Sequence, residues 1–123
     1  MLGKGLLMKT LFFVEDDEGV QEIARLVFGE PEFDTHIFSS AEELLDVRAR
    51  PRVYVLDKQL PGMDGLELCR ILKSDPWTSG IPVVMISADP DIRAEGMSAG
   101  AEAVLEKPFS IHVLLEVVLK VSA

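Results

Sequence analysis

One cysteine, Cys69, and two histidines, His36 and His112, are all that this chain offers of the side chains that build disulfides and soft-metal sites. A lone thiol forms no intramolecular disulfide, and the two histidines supply no ligand spacing for zinc. Basic residues are scarce as well, 12 against 21 acidic ones, for a formal net charge of -9. No lysine- or arginine-rich stripe stands ready to neutralise a phosphate backbone, so direct nucleic-acid binding is not expected. No apolar run approaches the roughly 20 residues that cross a bilayer, and Met1 to Thr10 lacks the apolar segment and cleavage site of a secretory leader. The absences together predict a soluble, cytoplasmic protein without membrane insertion. What is abundant is apolar material, 48% of the residues, enough for one core and one domain. That domain is expected over residues 8–123, with 1–7 an N-terminal extension and Met8 an alternative start.

Short β-type runs occur at Leu11 to Val14, His36 to Phe38, Val53 to Leu56, Val83 to Ile86 and Ala103 to Leu105, separated by stretches of helical periodicity. Val20, Ile23, Ala24, Val27 and Phe28 share one helical face, and Ile111, Leu114, Leu115, Val118 and Leu119 repeat the pattern. Ser40 with Glu43, and Asp64 with Glu67, have the spacing of capping boxes and start the second and third helices. The fourth helix, about Asp91 to Ala99, contains Gly96, which costs about 1 kcal/mol relative to Ala and makes this the most adjustable helix. Five strands alternating with five helices predict an α/β fold, a doubly wound parallel sheet with right-handed crossovers. Ligands of such sheets bind outside the carboxyl ends of the strands.

Those ends carry chemistry. The first strand runs into Glu15-Asp16-Asp17, and adjacent carboxylates at an open edge can share a hard cation such as Mg²⁺. An isolated acidic triplet more often favours the positive end of the following helix, and Asp17 fits that role alone. The third strand ends in Asp57, which by itself would read as a turn residue; the loop after it has Pro61-Gly62 spaced for a type II turn and Asp64 as an N-cap. The fourth strand ends in Ser87 beside the small Ala88, and the fifth is followed by Lys107-Pro108. A single serine or lysine after a strand is usually just solvated. Cys69, in an apolar stripe with Leu68, Ile71 and Leu72, reads as core, and Trp77, in a loop beside Pro76, as a local packing residue ahead of a partner contact.

The order and spacing of an acid pair, an Asp, a hydroxyl and a Lys-Pro closely resemble the response regulator receiver family, from Leu11 to about Leu119, including the Pro-Gly-Met-Asp-Gly loop and Ser98-Ala99-Gly100-Ala101. The resemblance implies a flavodoxin-like (βα)5 domain with strand order 2-1-3-4-5. It implies a phosphoacceptor switch of a two-component phosphorelay that takes its phosphoryl group from a histidine kinase or phosphotransfer protein. It further implies no enzyme activity beyond the chain's own phosphorylation and autodephosphorylation, and an output to a downstream protein effector of unknown identity. By the same resemblance Asp57 is the phosphoacceptor, and Glu15, Asp16, Asp57 and the backbone carbonyl of Gln59 hold Mg²⁺, or Mn²⁺ in its place. Ser87 and Lys107 would contact the phosphoryl oxygens.

Formally Glu15, Asp16 and Asp57 sum to about -3, which Lys107 and one Mg²⁺ bring to about zero. An acyl phosphate on Asp57 adds charge and acceptor oxygens that Ser87 and Lys107 reach by moving, which predicts a switch through the fourth strand and fourth helix. The family's usual inward-rotating aromatic, three residues before the lysine, is here Val104, which puts the usual readout face in question. Gln59 and Asp89 lie where the family tunes the lifetime of the acyl phosphate. An aspartyl hydrolase would have its Asp-x-Asp after the first strand, and a nucleotide-binding module would need a Gly- or Thr-rich loop there; neither is present. A degenerate receiver that binds protein without being phosphorylated is the alternative.

Overall fold

Alternation along each central strand sends successive side chains into two different apolar layers, so the sheet is covered on both faces. The computed structural model describes residues 8–123, and the expected extension at 1–7 lies outside them. The elements are β1 (Lys9–Val14), α1 (Glu18–Val27), β2 (Phe33–Phe38), α2 (Ala41–Leu45), β3 (Val53–Asp57), α3 (Gly65–Ser74), β4 (Val83–Ser87), α4 (Ile92–Ser98), β5 (Ala103–Glu106) and α5 (Ile111–Val121). All four strand pairings are parallel and the order is β2-β1-β3-β4-β5, the doubly wound architecture expected.

Phe12, Val14, Tyr54, Leu56, Val83, Met85 and Val104 pack with residues of α2, α3 and α4 on one face. Leu11, Phe13, Val53, Val55, Val84 and Ile86 pack with Ala24 and Phe28 at α1, and with Leu114 and Val118 of α5, on the other. Cys69 belongs to the first layer; it is fully buried, its thiol donates to the Ala99 carbonyl at 3.5 Å, and burial pushes its pKa up to about 11. The core reading of Cys69 therefore holds. Ile23 and Ile111 depart from expectation, standing about half exposed although they share the periodicity of their helices.

Polar side chains start the helices as the capping pattern predicts. The Asp17, Ser40 and Asp64 side chains accept from the amides of Val20, Glu43 and Glu67 at 2.9–3.1 Å, and Ser110 does the same for Val113 at the start of α5. Helix α4 differs, since Asp91 makes no side-chain cap bond; instead Asp89 Oδ1 accepts from the Asp91 amide at 2.9 Å. The glycine inside α4 has a packing reason: Val104 Cγ2 occupies the space a Cβ at Gly96 would need, 2.7 Å away. Trp77 is partly exposed, and the guanidinium groups of Arg48 and Arg50 lie 5.3 and 5.7 Å from its ring centroid.

Candidate functional site at the carboxyl edge of the sheet

Strand register brings the site together. Val14 pairs with Leu56, so Glu15 comes level with Asp57 in the next strand; Asp57 pairs with Ile86, and Ser87 with Glu106, so that Lys107 follows directly. Backbone bonds continue past the strand ends, from Glu15 N to Phe38 O at 2.9 Å, Lys58 N to Ile86 O at 3.0 Å and Lys107 N to Ser87 O at 2.7 Å. The edge is thus held by main chain, and its side chains inherit defined positions.

Asp57 is 3% exposed. Its Oδ1 accepts from the Gln59 amide at 2.9 Å, and its Oδ2 accepts from Lys107 Nζ at 2.9 Å. The same ammonium lies 3.6 Å from Glu15 Oε1, so one cation serves two buried carboxyls. Burial alone would lower the Lys107 pKa, but pairing with Asp57 and Glu15 outweighs it and holds the ammonium above the ordinary lysine value.

Glu15 is the most perturbed acid of the site. Its Oε2 accepts from the amides of Asp16 and Asp17 at 3.0 and 3.3 Å, while its buried Oε1 finds no hydrogen-bond donor among the described residues. Burial first, and the neighbouring Asp57 carboxyl second, push its pKa up to about 8. A buried oxygen of this kind, facing a second carboxylate, is a site that a hard cation would satisfy. Asp16 does not join this pair closely. It is exposed at the rim, and among the described residues no three acidic, His or Cys side chains converge into one metal cluster. The expected three-acid convergence is therefore a buried pair, Glu15 and Asp57, with Asp16 beside it.

Ser87 is fully buried. By strand periodicity Asp57 falls in register with Val55 and Ser87 with Met85, residues that belong to the two different layers. The Ser87 hydroxyl donates to Gln59 Oε1 at 3.0 Å and accepts from the Asp89 amide at 3.0 Å. Gln59 thus touches both groups, Asp57 through its backbone N–H and Ser87 through its side-chain carbonyl.

Three supporting residues carried no signal in the sequence reading. Gln21 Nε2, buried on the inner side of α1, donates to the Glu15 carbonyl at 2.6 Å and to Ser39 Oγ at 3.2 Å. Glu42 of α2 accepts from the Met63 amide at 3.0 Å, which holds its carboxyl below the usual range and ties the loop after Asp57 to a neighbouring helix. Gly62 in that loop has φ 73°, as the type II reading requires, although the Met63 amide goes to Glu42. Lys58 pairs with Asp89 and with Glu95, the latter at 2.9 Å. Only its place next to Asp57 could have drawn attention to it.

A family profile described as the response regulator receiver domain matches residues 11–119. The DNA-binding response regulator MtrA of Mycobacterium tuberculosis is 33% identical over 107 residues, which cover 84% of this chain and 46% of that protein. The chain therefore spans about half the length of the curated relatives it matches. Among solved structures, the receiver domain of the Francisella response regulator 1452 superposes with a TM-score of 0.84 at 27% identity, covering 93% of this chain and 96% of the other. The BeF3-activated receiver domain of DrrB, a Thermotoga maritima protein, gives a TM-score of 0.83 at 26% identity, with 92% and 96% covered.

Proposed function

The chain belongs to the response regulator receiver domain family, and we propose that it is a phosphorylatable switch in which Asp57 takes a phosphoryl group from a phosphohistidine of a sensor kinase or phosphotransfer protein. The observation that carries this reading is the buried Asp57 carboxylate, paired with Lys107 and set beside the donor-less Oε1 of Glu15. Phosphoryl transfer proceeds through a loose transition state, so fixed positions and charge neutralisation supply most of the rate. The phosphorus–nitrogen bond of the donor breaks as a bond forms to a carboxylate oxygen of Asp57, and the electron pair leaves with the imidazole nitrogen. The Gln59 amide fixes Oδ1, and Lys107 moves from the carboxylate toward the incoming phosphoryl oxygens.

The donor-less Glu15 Oε1 beside Asp57 is what makes a divalent cation fit this edge. Glu15, Asp16, Asp57 and the Gln59 carbonyl would hold Mg²⁺ or Mn²⁺, which when bound neutralises charge on the transferring group. Ser87 then exchanges Gln59 Oε1 for a phosphoryl oxygen, and because it also bonds the Asp89 amide, the displacement is passed to the loop before α4. Partner binding changes through β4 and α4, without a rotating ring, since Val104 is buried against Gly96. The reaction is the chain's own modification and its reversal. It belongs in the cytoplasm, and among the described residues no helix is long and apolar enough to cross a membrane.

Incubation with acetyl phosphate and Mg²⁺, followed by intact mass, tests the reading. One added phosphoryl group on the native protein and none on Asp57→Asn is expected. An unmodified native protein that still binds its partner would instead establish a phosphorylation-independent binding module.

A further inference from the structure

Lys58 follows the acceptor directly, yet its side chain reaches away from the acceptor to the other side of the site. Its ammonium pairs with Asp89 in the β4–α4 loop and with Glu95 in the first turn of α4, at 2.9 Å for the latter. The Lys58 backbone is fixed, since its N–H donates to Ile86 O and its carbonyl accepts from Gly65 N at 2.9 Å. Asp89 is held at four points: by Lys58 at Oδ2, by the Asp91 amide at Oδ1, by the Ile92 amide at its carbonyl and by Ser87 Oγ at its own N–H. A rigid anchor therefore restrains the residue that Ser87 must carry with it when it turns toward Asp57.

We infer that Lys58 is a positioning residue that holds Asp89 and α4 in the arrangement where Ser87 bonds Gln59, so that capture of a phosphoryl group at Asp57 works against this restraint. The inference rests on the phosphoacceptor reading above. It runs against simple electrostatics. A lysine next to the acceptor should attract a phosphoryl group, and its loss should then weaken binding; a restraint on the unphosphorylated form predicts tighter binding when the lysine is lost. The sign of the effect separates the two. α4 is suited to being held in this way, because it is short, has no side-chain cap bond from Asp91 and fits onto β5 through a glycine.

The test is calorimetric titration with beryllofluoride, a phosphoryl analogue, in saturating Mg²⁺, with the amide resonances of Ser87 and Asp89 followed by NMR. Lys58→Met and Asp89→Asn are each expected to bind about three- to tenfold tighter than the native chain, in keeping with the loss of one or two partly exposed ion pairs. The double variant should gain no more than Lys58→Met alone, and Lys58→Arg should keep native affinity. Unchanged or weaker binding by Lys58→Met, or additive effects in the double variant, would overturn the inference while leaving the phosphoacceptor reading intact. Absence of binding by the native chain would overturn both. Should Lys58→Met fail to fold, Asp89→Asn and Glu95→Gln decide by the same sign.

Discussion

Gly96 in α4 and Val104 in β5 are fitted to each other: the valine Cγ2 lies where a Cβ on the glycine would come within 2.7 Å of it. Gly96→Ala would ordinarily gain about 1 kcal/mol in a helix interior. Here the added methyl meets a β-branched side chain with little rotamer freedom, and overpacking costs about 1–3 kcal/mol. We expect Gly96→Ala to destabilise the fold by about 1 kcal/mol and Val104→Ala by about 2 kcal/mol, while the double variant recovers at least about 1 kcal/mol of their sum. Urea denaturation of the four proteins measures the coupling, and strict additivity would refute the fit.

Glu15 gives a pH dependence of defined sign. Its carboxyl titrates near 4.5 in the unfolded chain and at about 8 in the folded one. Between those values the folded chain keeps a proton that the unfolded chain has released, so this stabilisation is complete below 4.5 and is lost as pH rises through 8. In chelator, the melting temperature should fall between pH 6 and pH 8.5. Glu15→Gln should flatten that fall and raise the melting temperature at pH 8 by on the order of 5 °C, the equivalent of about 1 kcal/mol in a small domain. A steeper fall in the variant would contradict the assignment.

Gly65 opens α3 directly beneath the acceptor. A Cβ there would stand 2.0 Å from the Asp57 carbonyl oxygen and 2.8 Å from its carbon, both backbone atoms that cannot turn aside. Gly65→Ala is therefore expected to cost at least about 1–3 kcal/mol despite the better helix propensity of alanine. Phosphorylation from acetyl phosphate should slow with it, because the loop that fixes Asp57 through Gln59 must shift. Equal stability and an equal rate would show that the loop yields freely.

Ser87→Ala should separate capture from transmission. Lys107, Asp57 and Glu15 remain in place, so acetyl phosphate should still modify the variant, at a rate reduced about tenfold or less. The Asp89 amide loses its acceptor, and the shifts of Asp89 and α4 resonances on phosphorylation should shrink to less than about half of the native values, the hydroxyl contact being one hydrogen bond among several. Native-sized shifts would mean that the signal leaves the site by another path.

Removal of divalent cation by EDTA should abolish modification of the native chain, with Mg²⁺ or Mn²⁺ restoring it. Glu15→Gln should need at least about tenfold more cation, since it loses one charged ligand of the few available. Full modification in EDTA would exclude a metal requirement.

How far the chain could be read in advance follows from the range of each signal. Helix starts at Ser40 and Asp64, the buried runs of β3 and β4, and the strand-end positions of Glu15, Asp57, Ser87 and Lys107 rest on local pattern, and the structure has them there. Strand β2 begins at Phe33, earlier than His36, because an edge strand tolerates the polar Asp34 and Thr35 that look unlike a buried run. The orientation of Ser87 toward Gln59, and the reach of Lys58 to Asp89 and Glu95, depend on pairings some 28 to 37 residues apart. No periodicity or spacing within one segment encodes such contacts. The exposure of Asp16 beside the buried Glu15 has the same origin, since adjacency in sequence does not give two carboxylates the same surroundings.

The hydrogen bond from Ser87 to Gln59 also sets a background. A bond between two uncharged groups contributes only about 1 kcal/mol net, and two forms separated by about 1.4 kcal/mol coexist at about ten to one. Held by that bond alone, about one molecule in six would present its rearranged face to a partner without having received any signal. Every further restraint on the same loop lowers this false-positive rate, and each also raises the stimulus needed to cross it. Sensitivity and silence are thus set by the same few side chains around Asp89.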